Sequence, residues 1–352
     1  MVMSKLRIGF IGAGGNTRSR HIPGFLELDD IELAGVANRI RESSQAVADE
    51  FAIERVYDSP AELIADAAID AVCIGTWPYR HRDYTVAALA AGKHVLCEAR
   101  MAMDAAEAAE MLDASERRPH LVAQLVPAPF DLKSGATITR LLEEGAIGEV
   151  REVAVVALNG SALDPATPVH WRQQTRYSGR NIHSLGIWSE VVQRWLGEAR
   201  TVMAHGSTFV PERMDPATGE STPVEVPDTV AVAGSLMNGA AYTYRVSNVA
   251  AGTHQNGITV FGTKGVIQWL PNDTASLTTD GEEAQPIVPD SGTARGWRVE
   301  ADFVTSIREG APVRFTSFAD GLRYMRFIDA AWRSLQDGCV VEVQAGSGTN
   351  QG

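Results

Sequence analysis

The chain has 352 residues, 45% apolar and 21% charged, a length and balance expected of two globular domains rather than one. Its formal net charge of −13 argues against nucleic acid or an anionic membrane surface as partner, because both reward basic patches. No apolar run approaches the roughly 20 residues that span a bilayer, so no membrane anchor is expected.

The first strand pattern begins at Leu6, which leaves no room for a signal peptide. Cys73, Cys97 and Cys339 are odd in number and widely spaced, each in or beside an apolar run. They read as buried thiols of a cytoplasmic protein, with neither disulfides nor a metal site.

Residues 6–11 (LRIGFI) form the short apolar run of a fully buried parallel strand. The run enters Gly12-Ala13-Gly14-Gly15 directly, and a helix pattern resumes within a few residues. Strand, glycine turn and helix start in that order make a cradle for a dinucleotide diphosphate, with Thr17 at the third motif position in place of glycine.

Further strand patterns follow at 31–38, 69–74, 94–97 and 121–126, alternating with helix patterns at 41–52, 82–91 and 104–115. Ser59-Pro60-Ala61-Glu62 is a capping box that opens one more helix. This succession predicts an α/β domain over residues 1–127, a doubly wound parallel sheet with right-handed crossovers. Ligands bind such sheets beyond the carboxyl ends of the strands. That rule groups Gly12, Gly14, Gly15 and Asn16 with Asn38, Arg39, Thr76, Trp77, Pro78, His81, Glu98 and Arg100 along one crevice.

The end of the second strand bears on cofactor choice. A carboxylate there would hold the adenosine ribose hydroxyls and repel a 2′-phosphate. Asn38 is neutral and Arg39 and Arg41 follow it, so NADP is accommodated as well as NAD.

After a helix pattern at 130–144 and a strand at 149–158, the periodicity changes. Strand-like runs at 201–209, 229–237, 241–247, 257–261 and 266–269 are linked by Asn238-Gly239 and by Gly262-Thr263-Lys264-Gly265. Residues 128–352 are therefore expected to form an α+β domain with a mostly antiparallel sheet. Helix patterns at 179–196, 298–308 and 319–335 would cover one face, leaving the other for a homodimer or homotetramer contact. Residues 271–296, rich in polar residues, Gly, Pro and Thr, read as a long loop.

With these elements in place, the chain resembles the glucose–fructose oxidoreductase/inositol dehydrogenase (Gfo/Idh/MocA) family. The resemblance is carried by IGFIGAGG at the start, AVCIGTWPYRH at 71–81, AALAAGKHVLCE at 87–98 and EEGAIGEV at 143–150. It implies NAD(P)-dependent oxidation or reduction of a sugar, polyol or related carbonyl compound, and a Glu98 that positions the nicotinamide end or a substrate hydroxyl. Family members usually follow this glutamate with lysine and proline, the lysine helping to move the hydroxyl proton; here Ala99 and Arg100 follow. The family's acidic residue on the second-domain helix aligns with Ser184, and its His or Tyr with Trp188.

A hydride leaves an alcohol carbon readily only if the hydroxyl proton also departs, and a positioned base is worth roughly 10²–10⁴ in rate. Arginine is a poor base but can polarise an oxygen or hold an anion, the role open to Arg100. Histidine titrates in the right range, which makes His183 the candidate base. His170, Arg172, Tyr177 and Trp188 are candidate substrate contacts, although Leu185, Trp188, Val192 and Trp195 also share one helix face and suit a buried stripe. The leading function is an NAD(P)-dependent dehydrogenase or reductase. A redox-neutral lyase or glycosidase with bound NAD, and a non-catalytic nucleotide-binding protein, are the alternatives.

Overall fold

A computed structural model describes residues 5–252 and 254–344. The chain divides into two compact units, residues 5–127 with 298–322, and residues 128–297 with 323–344. The chain thus returns to the first unit after building most of the second.

The first unit holds six parallel strands: β1 (Leu6–Ile11), β2 (Ile31–Ala37), β3 (Arg55–Val56), β4 (Ala71–Ile74), β5 (His94–Cys97) and β6 (Ala123–Leu125). They lie in the order β3-β2-β1-β4-β5-β6. All four residues of β4 are buried, as are the last four of β1 and the last five of β2. Helices on both sheet faces remove both sides of these strands from water, so their sequences are apolar without alternation.

Local signals start the helices where the sequence places them. Ser59 accepts a hydrogen bond from the Glu62 amide at 3.2 Å to open Pro60–Ala65, and Asp104 accepts from the Glu107 amide at 2.9 Å to open Ala105–Glu116. The helix Val299–Glu309, expected over the second sheet, belongs instead to the first unit. There Phe303 meets Phe25 edge-on at 6.4 Å and the Val299 carbonyl accepts from Gln124 at 3.2 Å.

The second unit contains β7 (Val150–Leu158), β8 (Ala199–Ser207), a small hairpin of β9 (Glu212–Met214) and β10 (Ser221–Pro223), β11 (Thr229–Leu236), β12 (Ala241–Ser247), β13 (Gly257–Gly262), β14 (Gly265–Leu270), β15 (Thr274–Thr279), β16 (Gln285–Ile287) and β17 (Val341–Glu342). Nine of them form one sheet, ordered β16-β15-β14-β13-β7-β12-β11-β8-β17. Every pairing is antiparallel except β7 with β12. Burial alternates along β11 and β12, so one face is covered and the other open. On the covered face Tyr242 and Tyr244 pack against Phe327 of the last helix, at 6.0 and 5.5 Å.

Four expectations give way here. Residues 271–296 are not a single loop, because β15 and β16 within them extend the sheet. The helix expected from residue 130 begins at Gly135, since Asp131 adopts φ +52° and its buried carboxylate takes hydrogen bonds from Arg194 and Trp195 at 2.6 and 2.8 Å. The helix expected from residue 179 begins at Leu185, because positive φ at Gly179 and His183 breaks the pattern before it. Cys73 and Cys97 are buried thiols, but Cys339 is exposed. Among the described residues no helix is long and apolar enough to cross a membrane.

Candidate active site

The first unit concentrates its unusual features at the carboxyl ends of β1, β4 and β5. Gly12 follows β1 with φ +74°, and a Cβ there would sit 2.5 Å from Thr76 Cγ2 and 2.9 Å from the Thr76 amide nitrogen. Only glycine fits so close to the neighbouring chain in that conformation. Gly75 is as tightly constrained, since its Cβ would meet Thr17 Oγ1 at 2.0 Å. Thr17, in the place of the third motif glycine, is therefore buried against the β4 turn and does not open the helix outward.

Gly14 and Gly15 are different. Both are exposed, and a Cβ on Gly15 would meet nothing within 4 Å. The turn thus has a closed inner side and an open outer side, the form a diphosphate requires. The hydroxyls of Thr17 and Thr76 are buried beside it with no hydrogen-bond partner among the described residues. These residues fit a dinucleotide.

Asn38 has a role the sequence did not suggest. Its Oδ1 accepts from the Ala13 amide at 2.7 Å, and its Nδ2 donates to Ser43 Oγ at 2.8 Å. The side chain pins the glycine turn to the end of β2, so its carboxamide is committed within the protein. Arg39 beside it is exposed, while Arg41 pairs with Asp58.

His81 is likewise committed. It is fully buried, with Nδ1 3.0 Å from the Arg100 carbonyl and Nε2 2.8 Å from the Thr76 carbonyl. The ring ties the turn after β4 to the turn after β5 and presents no nitrogen to a ligand. Pro78 is buried in the same turn, whereas Trp77 is exposed at the rim with Tyr79 6.4 Å from it. Lys93 caps the opposite end of the sheet, donating to the Asp66 and Ile69 carbonyls at 2.8 and 2.6 Å.

Glu98, directly after β5, stands at the centre of a buried ionic cluster. Its Oε1 lies 3.0 Å from His21 Nε2 and also accepts from Asn16 Nδ2, and its Oε2 accepts from the Ala99 amide at 3.1 Å. His21 Nδ1 in turn meets Glu300 Oε1 at 2.5 Å. Each ring nitrogen faces a carboxylate oxygen, an acceptor only, so the ring must carry both protons and be cationic.

Burial alone would strip the proton from His21. The hydrogen bonds and charges of Glu300 and Glu98 outweigh it and raise the group to about 9. Burial likewise pushes the Glu98 carboxyl up, but His21, Asn16 and the Ala99 amide together leave it below its usual range. Glu98 is thus a fixed anion rather than a base. Neither His21 nor Glu300 was singled out in the sequence. The only local hint for His21 was its place a few residues after the glycines, a stretch the structure forms into a π-helical turn over Thr17–His21.

Arg100, expected to polarise a substrate oxygen, is only 2% exposed. Among the described residues no group of His, Cys, Asp and Glu is placed to hold a metal ion.

In the second unit the candidate substrate residues gather before the helix Leu185–Leu196. His183, at φ +44°, lies ahead of that helix rather than on it, and its Nε2 donates to the Pro227 carbonyl at 2.6 Å. This bond places a proton on Nε2 and holds the ring from one side. His170 Nδ1 accepts from the Arg172 amide at 3.2 Å. Partial burial and the charges of Arg172 and His183 pull His170 down to about 4, so it stays neutral.

Arg172 lies over the Trp171 ring at 4.3 Å, and Tyr177 is half-buried beneath Arg176 at 4.7 Å. Trp188 is a core residue, 4% exposed and packed on Phe130 and Trp269 at 4.8 and 6.0 Å.

A glycine turn at the carboxyl edge of a parallel sheet ordered β3-β2-β1-β4-β5-β6 defines a dinucleotide-binding Rossmann domain, here joined to an α+β domain. The chain belongs to the Gfo/Idh/MocA family of oxidoreductases: the model of the "Oxidoreductase family, NAD-binding Rossmann fold" matches residues 6–124, and that of the family's C-terminal domain matches residues 136–268.

Among its relatives is an uncharacterized oxidoreductase of Rhizobium meliloti, 27% identical, with 96% of this chain and 98% of the relative covered. Levoglucosan dehydrogenase of Pseudarthrobacter phenanthrenivorans is 29% identical, covering 97% and 99%. Among solved structures, levoglucosan dehydrogenase in complex with NADH and L-sorbose superposes with a TM-score of 0.84 at 24% identity, covering 97% of this chain and all of that one.

The raised His21 group makes a signed prediction. Its contribution to stability is complete below pH 6.5 and is lost as pH rises through about 9. A shift of that size corresponds to about 3 kcal/mol. Urea unfolding at pH 6.5 and pH 10 is expected to show wild type losing more stability than His21→Gln by up to that amount. Equal losses in the two proteins would contradict the cationic assignment.

Proposed function

We propose that this protein is an NAD(P)-dependent oxidoreductase that oxidises or reduces a carbon of a sugar, polyol or related carbonyl compound. The observation that carries this reading is the glycine turn: closed inward by Gly12 against Thr76, open outward over Gly15, and placed beside the fixed anion Glu98. The levoglucosan dehydrogenase likeness supports the substrate class. A bound nicotinamide supplies the hydride acceptor or donor.

The residues of this chain do the rest. Gly14 and Gly15 would let backbone approach the diphosphate, and the helix start after them would supply amide donors to it. His183, its ring held by the Pro227 carbonyl, is the residue assigned to take the hydroxyl proton. His170, Arg172 and Tyr177 offer hydrogen bonds to substrate hydroxyls. In wild type, NADH and NADPH are expected to bind at micromolar to millimolar levels by fluorescence titration. With a substrate found by screening sugars and polyols, His183→Ala is expected to lower kcat by 10²-fold or more while the coenzyme Kd stays within threefold. Full activity in that variant would remove His183 from the mechanism.

Cofactor choice follows from Asn38. A neutral side chain committed to Ala13 and Ser43, with Arg39 exposed beside it, presents no carboxylate to repel a 2′-phosphate. NADP is therefore accepted alongside NAD. Asn38→Asp keeps the acceptor for Ala13 but adds charge, and is expected to lower the NADPH to NADH affinity ratio about tenfold, or about 1.4 kcal/mol. An unchanged ratio would show that the 2′-position lies elsewhere.

The open face of the second sheet is assigned to a second copy of the chain. Met203 and Ala233 are direct partners on it and Phe261 lies on the same face in the adjacent row, with Met203 40% and Phe261 38% exposed. Light scattering is expected to give a dimer or tetramer, and Ala233→Arg to shift the mass toward monomer. A monomeric wild type would refute the assignment.

A further inference from the structure

The ionic cluster of the first unit joins three parts of the chain distant in sequence. His21 comes from the turn after the glycines, Glu98 from the end of β5, and Glu300 from the returning helix Val299–Glu309. His21 has no exposed surface, and the side chains of Glu300 and Glu98 are 3% and 13% exposed.

Burying two carboxylates around one cation is expensive, and a well-packed apolar trio would fasten the same elements more cheaply. The backbone also gives way to the cluster: a Cβ on Gly24 would lie 2.7 Å from Glu300 Oε2. Glu98 has a further bond outward, to Asn16 at the end of the glycine turn. The cluster is thus connected to the crevice on one side and anchored in the core on the other.

We infer that His21 is a positioning residue for the cofactor crevice: held between Glu98 and Glu300, it fixes the Glu98 carboxylate against Asn16 and so couples the end of β5 to the glycine turn. The inference rests on the cofactor reading above. It makes Glu98 the route by which His21 acts, and Glu300 the anchor that keeps the imidazolium from turning. Among the described residues, Cys73, Cys97 and His81 also feel the charge of Glu98. Burial pushes both thiols up and His81 down, so none of them titrates between pH 7 and 10.

The test is a double-mutant cycle on coenzyme affinity, read by NADH and NADPH fluorescence in the full-length chain. Wild type is measured first; if it binds neither coenzyme, the cofactor reading itself fails. If it binds, His21→Gln and Glu98→Gln are each expected to weaken the better coenzyme at least fivefold, and the double variant no further than either alone. A product of the two separate losses in the double variant overturns the inference, because a merely structural histidine would act independently of Glu98.

The pH profile is the second readout. Wild-type affinity is expected to fall as pH passes about 9, where His21 loses its proton, and His21→Gln to stay flat from pH 7 to 10. A wild-type profile as flat as the variant's also overturns the inference. Should His21→Gln not fold, Glu300→Gln takes its place in the cycle with the same expectation and the same refutation.

Discussion

One buried cation organises the nucleotide-binding unit. With a carboxylate on each ring nitrogen, His21 has no alternative rotamer or tautomer that satisfies both partners, so the turn after β1 and the turn after β5 hold one spacing. The Asn38 carboxamide does a similar task on the other flank, holding the Ala13 amide to the end of β2. Between these two fasteners the glycines remain open. The rigidity sits beside the binding surface and leaves the surface itself unobstructed.

The same division of labour explains why motif residues are not all ligand contacts. His81 lies within a family motif, yet its ring is spent on the carbonyls of Thr76 and Arg100. Thr17 stands where a glycine is usual and fills the space against Gly75. Such residues shape the crevice by holding backbone in place, and a substitution there would act through geometry rather than through a lost contact.

Much of the first unit was legible because its signals are local. The buried strands read as unbroken apolar runs, and the Ser59 and Asp104 caps announced their helices within a few residues. The exposed Gly14 and Gly15 were likewise visible in the glycine turn. The Glu300 partner of His21 was not, being 279 residues away on a helix whose pattern suggested a place in the other unit.

In the second unit, periodicity found β7, β8 and β11 to β14 but missed β9, β10, β15, β16 and β17, most of them only two or three residues long and set among turn residues. Helix starts failed where a buried side chain or a positive φ, at Asp131 and His183, overrode local propensity. Propensity cannot register a conformation imposed by a distant partner.

The discontinuity of the first unit has a practical side. A fragment cut at Pro127 would contain all six strands, the glycine turn and Glu98, and would look complete by its motifs. It would nevertheless lack Phe303 from beside Phe25, the Val299 carbonyl that receives Gln124, and one of the two anions around His21. The stretch that finishes the nucleotide-binding half is thus made only after most of the other half has been synthesised, and modular exchange of the two halves would need three junctions rather than one.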